Sequence, residues 1–358
     1  MSVIELNFYL FIFYSLTLLT FAKSRITTKL FIVIITIQFA LVNGLRHFTV
    51  GIDTIRYERK FQSLSSDTIS GISEIGYEVA QKLFLLFSDN FNFWLLSVAV
   101  FVFSLLGLVI YKYSKNYFIS YLLFIGLGFF NFSFTGIRQT IAIILVLFSF
   151  KYILDKKFMK FFIIILIAAT FHYAAIIFLP IYYIAQIRWN YQYILYLIGS
   201  YILLFLLRAP IGELLTLLFY EENSLDRYTS SDNIGGLAIL ILIVIILGIY
   251  VYSPIKYNSR ENTILANIMV IAFFIQSLSS FSYLFTRLNM FFFIFIILYI
   301  PHIINNLDKL PVKLTIKETK VIKLLITMII ILAVSYYYIN NLESDGNGIV
   351  PYYFFWEY

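Results

Sequence analysis

Long apolar runs separated by short polar loops dominate the chain, and their length decides what they are. Wound as a helix, a run of about 15 to 20 apolar residues spans most of the hydrocarbon layer of a bilayer. Such runs predict helices over residues 6–22, 29–45, 91–111, 117–134, 137–153, 191–208, 235–253, 263–281, 287–304 and 321–339. Between 153 and 191 the pattern is ambiguous, with two shorter helices, 158–171 and 173–187, forming a shallow hairpin or one broken helix. None of the runs alternates polar and apolar residues as barrel strands must, and lipid offers no partner to an unpaired backbone amide. The expected fold class is therefore all-α, a polytopic integral membrane helix bundle of about twelve transmembrane helices.

No internal repeat or separable soluble domain breaks the pattern, so residues 1–358 read as a single transmembrane domain. Its polar segments are the loops 46–90 and 209–234 and the tail 340–358; within the first, residues 74–87 predict a short interfacial or re-entrant helix. The tail carries Pro351-Tyr352-Tyr353-Phe354-Phe355-Trp356, too aromatic for a free end, and is expected to dock at the membrane interface.

Composition removes several function classes. A chain 61% hydrophobic and only 13% charged cannot be a soluble core protein. With no cysteine, disulfides, thiolate zinc sites and thiol nucleophiles are excluded. The three histidines, His47, His172 and His302, lack metal-ligand spacing, so neither a metal nor another cofactor is expected. The net charge of +7 comes mostly from lysines in short loops, where they act as topology signals, and nucleic acid is not expected as a partner.

Those lysines assign the sides. Lys23, Arg25 and Lys29 follow the first run with no basic residue ahead of it, the reverse of a signal peptide, so the N-terminus is expected outside. Lysines at 112, 115, 151, 156, 157, 160, 309, 313, 317, 320 and 323 mark the cytoplasmic side, and both termini fall outside. On this map the inner loops hold 14 lysines and 3 arginines, whereas seven of the ten arginines lie outside: Arg46, Arg56, Arg59, Arg138, Arg208, Arg227 and Arg287. That distribution opposes the positive-inside rule. It points to an outer face that binds an anion, since guanidinium forms bidentate bonds to phosphate and keeps its proton when half-buried.

Arg138 and Arg287 are each expected to open an apolar helix, where free backbone amides and the helix dipole add to the side-chain charge; two such ends suit a diphosphate. The plain alternative for any outer arginine is a snorkelling side chain or half of an ion pair with Asp53, Glu58 or Glu222. His172 is expected at the N-terminal end of helix 173–187, where the dipole keeps the imidazole neutral and fit for general-base work; a packing histidine is the competing reading. The segment from Arg46 to Tyr57 adds Arg56, a second possible base in Asp53 or His47, Gly51 for a turn and Tyr57 for stacking on a sugar.

These residues resemble the EpsG/Wzy group of polysaccharide polymerases. The likeness rests on Arg46, Gly51, Asp53 and Tyr57, on Gly136-Ile137-Arg138-Gln139 followed by Ala142, on Ala169, Phe171 and His172, on Arg287, and on Pro351-Tyr352. Thr54 departs from the pattern, which often has an aromatic there. The resemblance implies a GT-C-like glycosyltransferase of the bacterial inner membrane, acting at its outer face on oligosaccharide repeat units carried by undecaprenyl diphosphate. Its implied partners are that lipid-linked oligosaccharide, membrane lipid and a chain-length regulator. The assignments that follow are His172 or, second, Asp53 as base, Arg138 and Arg287 at the donor diphosphate, Arg46 or Arg56 at the acceptor diphosphate, Gln139 as a further substrate-binding residue, and Tyr57 against sugar. A flippase for lipid-linked oligosaccharide is the competing class, but Gln38 and Gln276 are the main polar residues at midspan and make a poor polar path. An O-antigen ligase is the competing enzyme.

Overall fold

In the computed structural model the described residues are 2–21, 25–65, 74–188, 192–207, 209–211, 213–214, 236–251, 259–279, 283–309, 315–343 and 346–357. They form helices throughout; among them the one sheet-like feature is an isolated antiparallel bridge between Arg46 and Phe354. The chain divides into two compact units: residues 1–150, 162–176 and 324–358, and residues 151–161 and 177–323.

The first unit contains α1 (Val3–Phe21), α2 (Arg25–Gly44), α3 (Thr54–Ser65), α4 (Ile75–Leu85), α5 (Phe91–Tyr113), α6 (Tyr117–Gly126), α7 (Phe129–Thr135) and most of α8 (Ile137–Leu154). To these it adds the C-terminal part of α9 (Phe158–Phe171). Polar residues set the helix starts: the Asn90 side chain accepts from the amides of Asn92 and Phe93, and Asn116 caps α6 through the amide of Ile119. The core is aromatic. Phe39, fully buried, meets Phe103, Tyr121, Phe124 and Phe130 with ring centroids 4.8 to 6.4 Å apart. Such pairs stabilise by about 0.5–1.5 kcal/mol each beyond the area they bury. Gln38, half-buried, donates to both the side chain and the carbonyl of Asn7 at 2.7 Å, tying α2 to α1.

The second unit contains α10 (Ile181–Ile184), α11 (Gln192–Leu206), α12 (Gly236–Val251), α13 (Arg260–Ser277), α14 (Tyr283–Phe293) and α15 (Ile296–Asn305). Phe178 stacks on Phe295 at 5.4 Å in its core. Gln276 accepts from Asn289 at 2.7 Å, and Asn267 donates to the carbonyls of Ala185 and Ile187. Both midspan glutamines are thus engaged in helix packing. α16 (Ile316–Glu343) runs from this unit into the first, where Tyr338 stacks on Phe8 at 4.7 Å.

Among the described residues four helices are long and apolar enough to cross a membrane: Ile26–Gly44, Phe91–Tyr113, Ile137–Leu154 and Ile316–Leu342. The number rises to six if α6 with α7, bent by 49°, and α14 with α15, bent by 44°, each count as one span. Exposed Leu, Ile, Val and Phe side chains cover α1, α2, α5 and α16, the surface a lipid solvent requires and water would oppose. The described residues are those of a helical membrane protein.

Two expectations change. Residues 173–187 do not form one helix but a 3-10 turn at Tyr173–Phe178 followed by the single turn α10. Pro180 is the cause, since it lacks the N–H that a continuous helix would need there. The polar stretch 46–90 contains, besides the expected short helix at α4, the amphipathic α3, whose Tyr57, Phe61 and Leu64 recur at helical spacing and are buried. Most of the loop 209–234, with Arg227, lies outside the described residues, as does Arg208.

Candidate active site

Glu74 is the centre of the polar cluster in the first unit. It occupies the N-cap position of α4 with no side-chain bond to its own helix, so its carboxylate is directed to other elements. One oxygen accepts from His172 Nδ1 at 2.6 Å and from the amide of Tyr173 at 3.3 Å; the other lies 3.0 Å from Arg138 Nη1. The Arg138 contact is an ion pair in distance, without the alignment of a hydrogen bond. With 13% of its side chain exposed, Glu74 would be costly as an anion without these partners. Burial does favour its neutral form, but the hydrogen bond from His172, the charges of His172 and Arg138 and the Tyr173 amide outweigh it and hold the carboxyl below the usual glutamate range.

Close packing of three elements brings these groups together. Gly76, in the first turn of α4, abuts the last turn of α9: a Cβ there would stand 2.1 Å from Thr170 Oγ1 and 2.9 Å from its carbonyl carbon. That contact sets Glu74 beside His172, which ends α9. Arg138, in the first turn of α8, lies over the ring of Tyr57 at 5.5 Å, and Tyr57 meets Tyr77 edge-on at 5.8 Å. Tyr77 accepts a hydrogen bond from Trp94 Nε1 at 3.2 Å, and burial drives its phenol far above the ordinary range. Lys60 adds a further cation, held below the ordinary lysine range by burial and then by the charge of Arg138.

The other expected site residues are placed differently. Arg46 is 1% exposed and donates to Asn43 Oδ1 at 2.9 Å, to the Asn43 carbonyl and to the Phe134 carbonyl at 3.1 Å, with its guanidinium over the Phe134 ring. Burial lowers its pKa to about 10. Gly51, with φ of +97°, lets the following loop approach the same Phe134 carbonyl; a Cβ there would meet that oxygen at 2.5 Å. The C-terminal tail closes over this loop through bonds from His47 to Tyr353, Phe355 to Leu45 and Gly51 to Gly348. Asp53 pairs with Arg56 at 3.4 Å, and Arg56 is 79% exposed. Gln139 is buried.

Two positional arguments are corrected. His172 does not begin an α-helix of useful length, so no helix dipole acts on it; Glu74 is its partner instead. Arg287 lies one turn inside α14 of the second unit, half-buried, rather than at its opening amides. The structure therefore gathers Tyr57, Arg138 and His172 and adds Glu74, Lys60 and Tyr77. Glu74 was overlooked because 98 residues separate it from His172; its one local signal is an acid immediately before an apolar helix.

Chemically, a carboxylate on imidazole Nδ1 fixes the tautomer with its basic lone pair on Nε2 and stabilises the imidazolium that proton uptake creates. An adjacent guanidinium against an aromatic ring adds positive charge with fixed orientation. No curated protein and no solved structure matches the chain. A family model described as "EpsG family" matches residues 29–354, and the chain belongs to that family, the family of Wzy-type polysaccharide polymerases.

Proposed function

We propose that this membrane polysaccharide polymerase is a glycosyltransferase that joins oligosaccharide repeat units carried on undecaprenyl diphosphate at the outer face of the bacterial inner membrane. The observation that carries this reading is the His172–Glu74 pair at 2.6 Å with Arg138 on the same carboxylate. In the reaction, an acceptor sugar hydroxyl attacks the anomeric carbon of the donor chain. The new glycosidic bond forms as the bond from that carbon to the diphosphate oxygen breaks, and undecaprenyl diphosphate leaves. His172 Nε2 takes the hydroxyl proton, and Glu74 stabilises the resulting imidazolium. Arg138 stabilises charge developing on the diphosphate, an electrostatic role that needs no metal. Tyr57, buried, holds the guanidinium over its ring instead of meeting sugar. Arg56 remains assigned to the acceptor diphosphate, Arg46 shapes the loop behind the site, and Asp53 is the second choice of base. The GT-C-like arrangement with about twelve crossings belongs to the same reading.

The test uses purified full-length protein with a defined undecaprenyl-diphosphate-linked repeat unit, the products being resolved by length. A ladder is expected from the wild type; a single transfer would indicate a ligase, and changed sidedness of the lipid without chemistry a flippase. Either of these outcomes overturns the proposal. His172→Ala and Glu74→Gln should each reduce the rate, by roughly 10²- to 10⁴-fold for loss of the base itself. Arg138→Lys should also slow it, because charge survives while bidentate geometry does not. Wild-type rates in His172→Ala would move the base to Asp53.

A further inference from the structure

A second basic site lies in the unit that does not contain Glu74. There a cavity of about 400 Å³ is lined by Lys156, Arg188 and Arg260 with Gln186 and Thr263. Among the described residues none of its lining side chains is acidic. The nearest acids along the chain are directed elsewhere, Asp155 to Lys157 at 3.5 Å and Glu261 to His302 at 3.9 Å. By sequence, the flanking segments 189–191 and 252–258 contribute no acid and one further lysine, Lys256.

The cavity is built on a costly piece of backbone. α8 ends in a Schellman turn, the amide of Lys157 bonding to the Tyr152 carbonyl at 2.9 Å and that of Lys156 to the Ile153 carbonyl at 3.3 Å. Its left-handed position, with φ of +56°, is occupied by Lys156 where glycine would be favoured. A non-glycine residue in that conformation lowers stability and suggests a role for its side chain. Arg260 braces the same turn, donating to the Ile153 carbonyl at 2.9 Å and to Gln186 Oε1 at 3.3 Å. It opens α13, whose first turn carries Thr263 on the cavity wall. Lys156 and Arg188 are exposed, and Arg260 is half-buried.

We propose that this cavity binds a phosphate anion at a site distinct from the Glu74 cluster. Two exposed cations and a braced guanidinium form a three-sided charge trap, and the α13 N-terminus adds its dipole. The phosphate comes from the headgroup of an anionic phospholipid or from a soluble phosphate. Basic pockets at the lysine-rich side of membrane bundles favour the former.

The full-length protein is examined by native mass spectrometry from micelles doped with phosphatidylglycerol or phosphatidylcholine, and by thermal shift with inorganic phosphate. Two variants are compared with wild type: Lys156→Gln with Arg188→Gln, and Lys156→Gly. The double variant should lose phosphate-dependent binding by roughly 30-fold, as expected for two charges. Lys156→Gly should bind more weakly while its Tm holds or rises, since glycine relieves the left-handed backbone; this separates ligand loss from misfolding. Preferential retention of phosphatidylglycerol, lost in the variants, identifies a lipid headgroup site. A thermal shift with inorganic phosphate, lost in the variants, without lipid preference identifies a soluble ligand. The proposal is overturned if both variants retain wild-type binding or if the wild type distinguishes neither lipid and ignores phosphate.

Discussion

A carboxylate that is largely buried yet held below its usual range stabilises the fold only while it is ionised. For Glu74 the folded value is depressed relative to the unfolded one, so its contribution is complete above the ordinary glutamate value of 4.5 and is lost as pH falls through the lower folded value. Removing the charge should make this visible. The Tm difference between wild type and Glu74→Gln is expected to narrow as the solution is acidified below pH 4.5. Parallel melting curves down through that range would show that the pair with His172 and Arg138 adds nothing ionic to the fold. At this scale His172 and Arg138 were legible because each is a charged or titratable residue beside an apolar run, where polar groups need a reason. Glu74 was not, because an acid in a polar stretch is unremarkable until folding gives it partners. The group that faces His172 also differs from the expected one: a carboxylate, not a helix dipole.

Apolar periodicity located most helices to within a few residues, as for 158–171 and 137–153, because a lipid solvent leaves few alternatives to a hydrogen-bonded helix. It did not reveal where helices break. The run 117–134 bends by 49° between α6 and α7, and 173–187 collapses to turns at Pro180, with no loss of hydrophobicity at either place to announce it. α3 was missed for the opposite reason: its apolar face is narrow, and its charges read as loop. One contact between elements is exacting enough to test. At Gly76 a methyl group would meet Thr170, including its backbone, so Gly76→Ala must push α4 away from α9. Overpacking of this kind costs about 1–3 kcal/mol. The displacement should also lengthen the Glu74–His172 bond, so Gly76→Ala is expected to lower both Tm and polymerisation rate. Pairing it with Thr170→Ala tests the route, because removing Thr170 Oγ1 relieves the shortest contact but leaves those with Cβ and the backbone, and should restore only part of either quantity. A Gly76→Ala protein with wild-type Tm and rate would mean that this contact does not position the carboxylate.

At the scale of the whole chain, sidedness is the question on which the chemistry depends. α16 is a continuous helix of 28 residues, and its span Ile316–Leu342 is long enough to cross the bilayer, so its ends belong on opposite sides. Its N-terminus, Ile316, lies within the lysine-rich stretch 309–323, which the positive-inside rule would place in the cytoplasm. Its C-terminus leads into the tail that pairs with residues 45–52, the loop that precedes α3 and Tyr57 in the same unit as Glu74 and His172. The site should then face away from the lysines and open outside, where no nucleotide sugar is available and a lipid diphosphate is the fitting leaving group. Because the chain has no cysteine, each introduced cysteine reports alone. Gly346→Cys is expected to react with an impermeant maleimide on intact cells whose outer envelope has been opened, and Thr315→Cys only after the inner membrane is permeabilised. If Thr315→Cys reacted first and Gly346→Cys only later, the cluster would face the cytoplasm. The arginines would then obey the positive-inside rule after all, and a donor held on the outer leaflet could not reach Arg138.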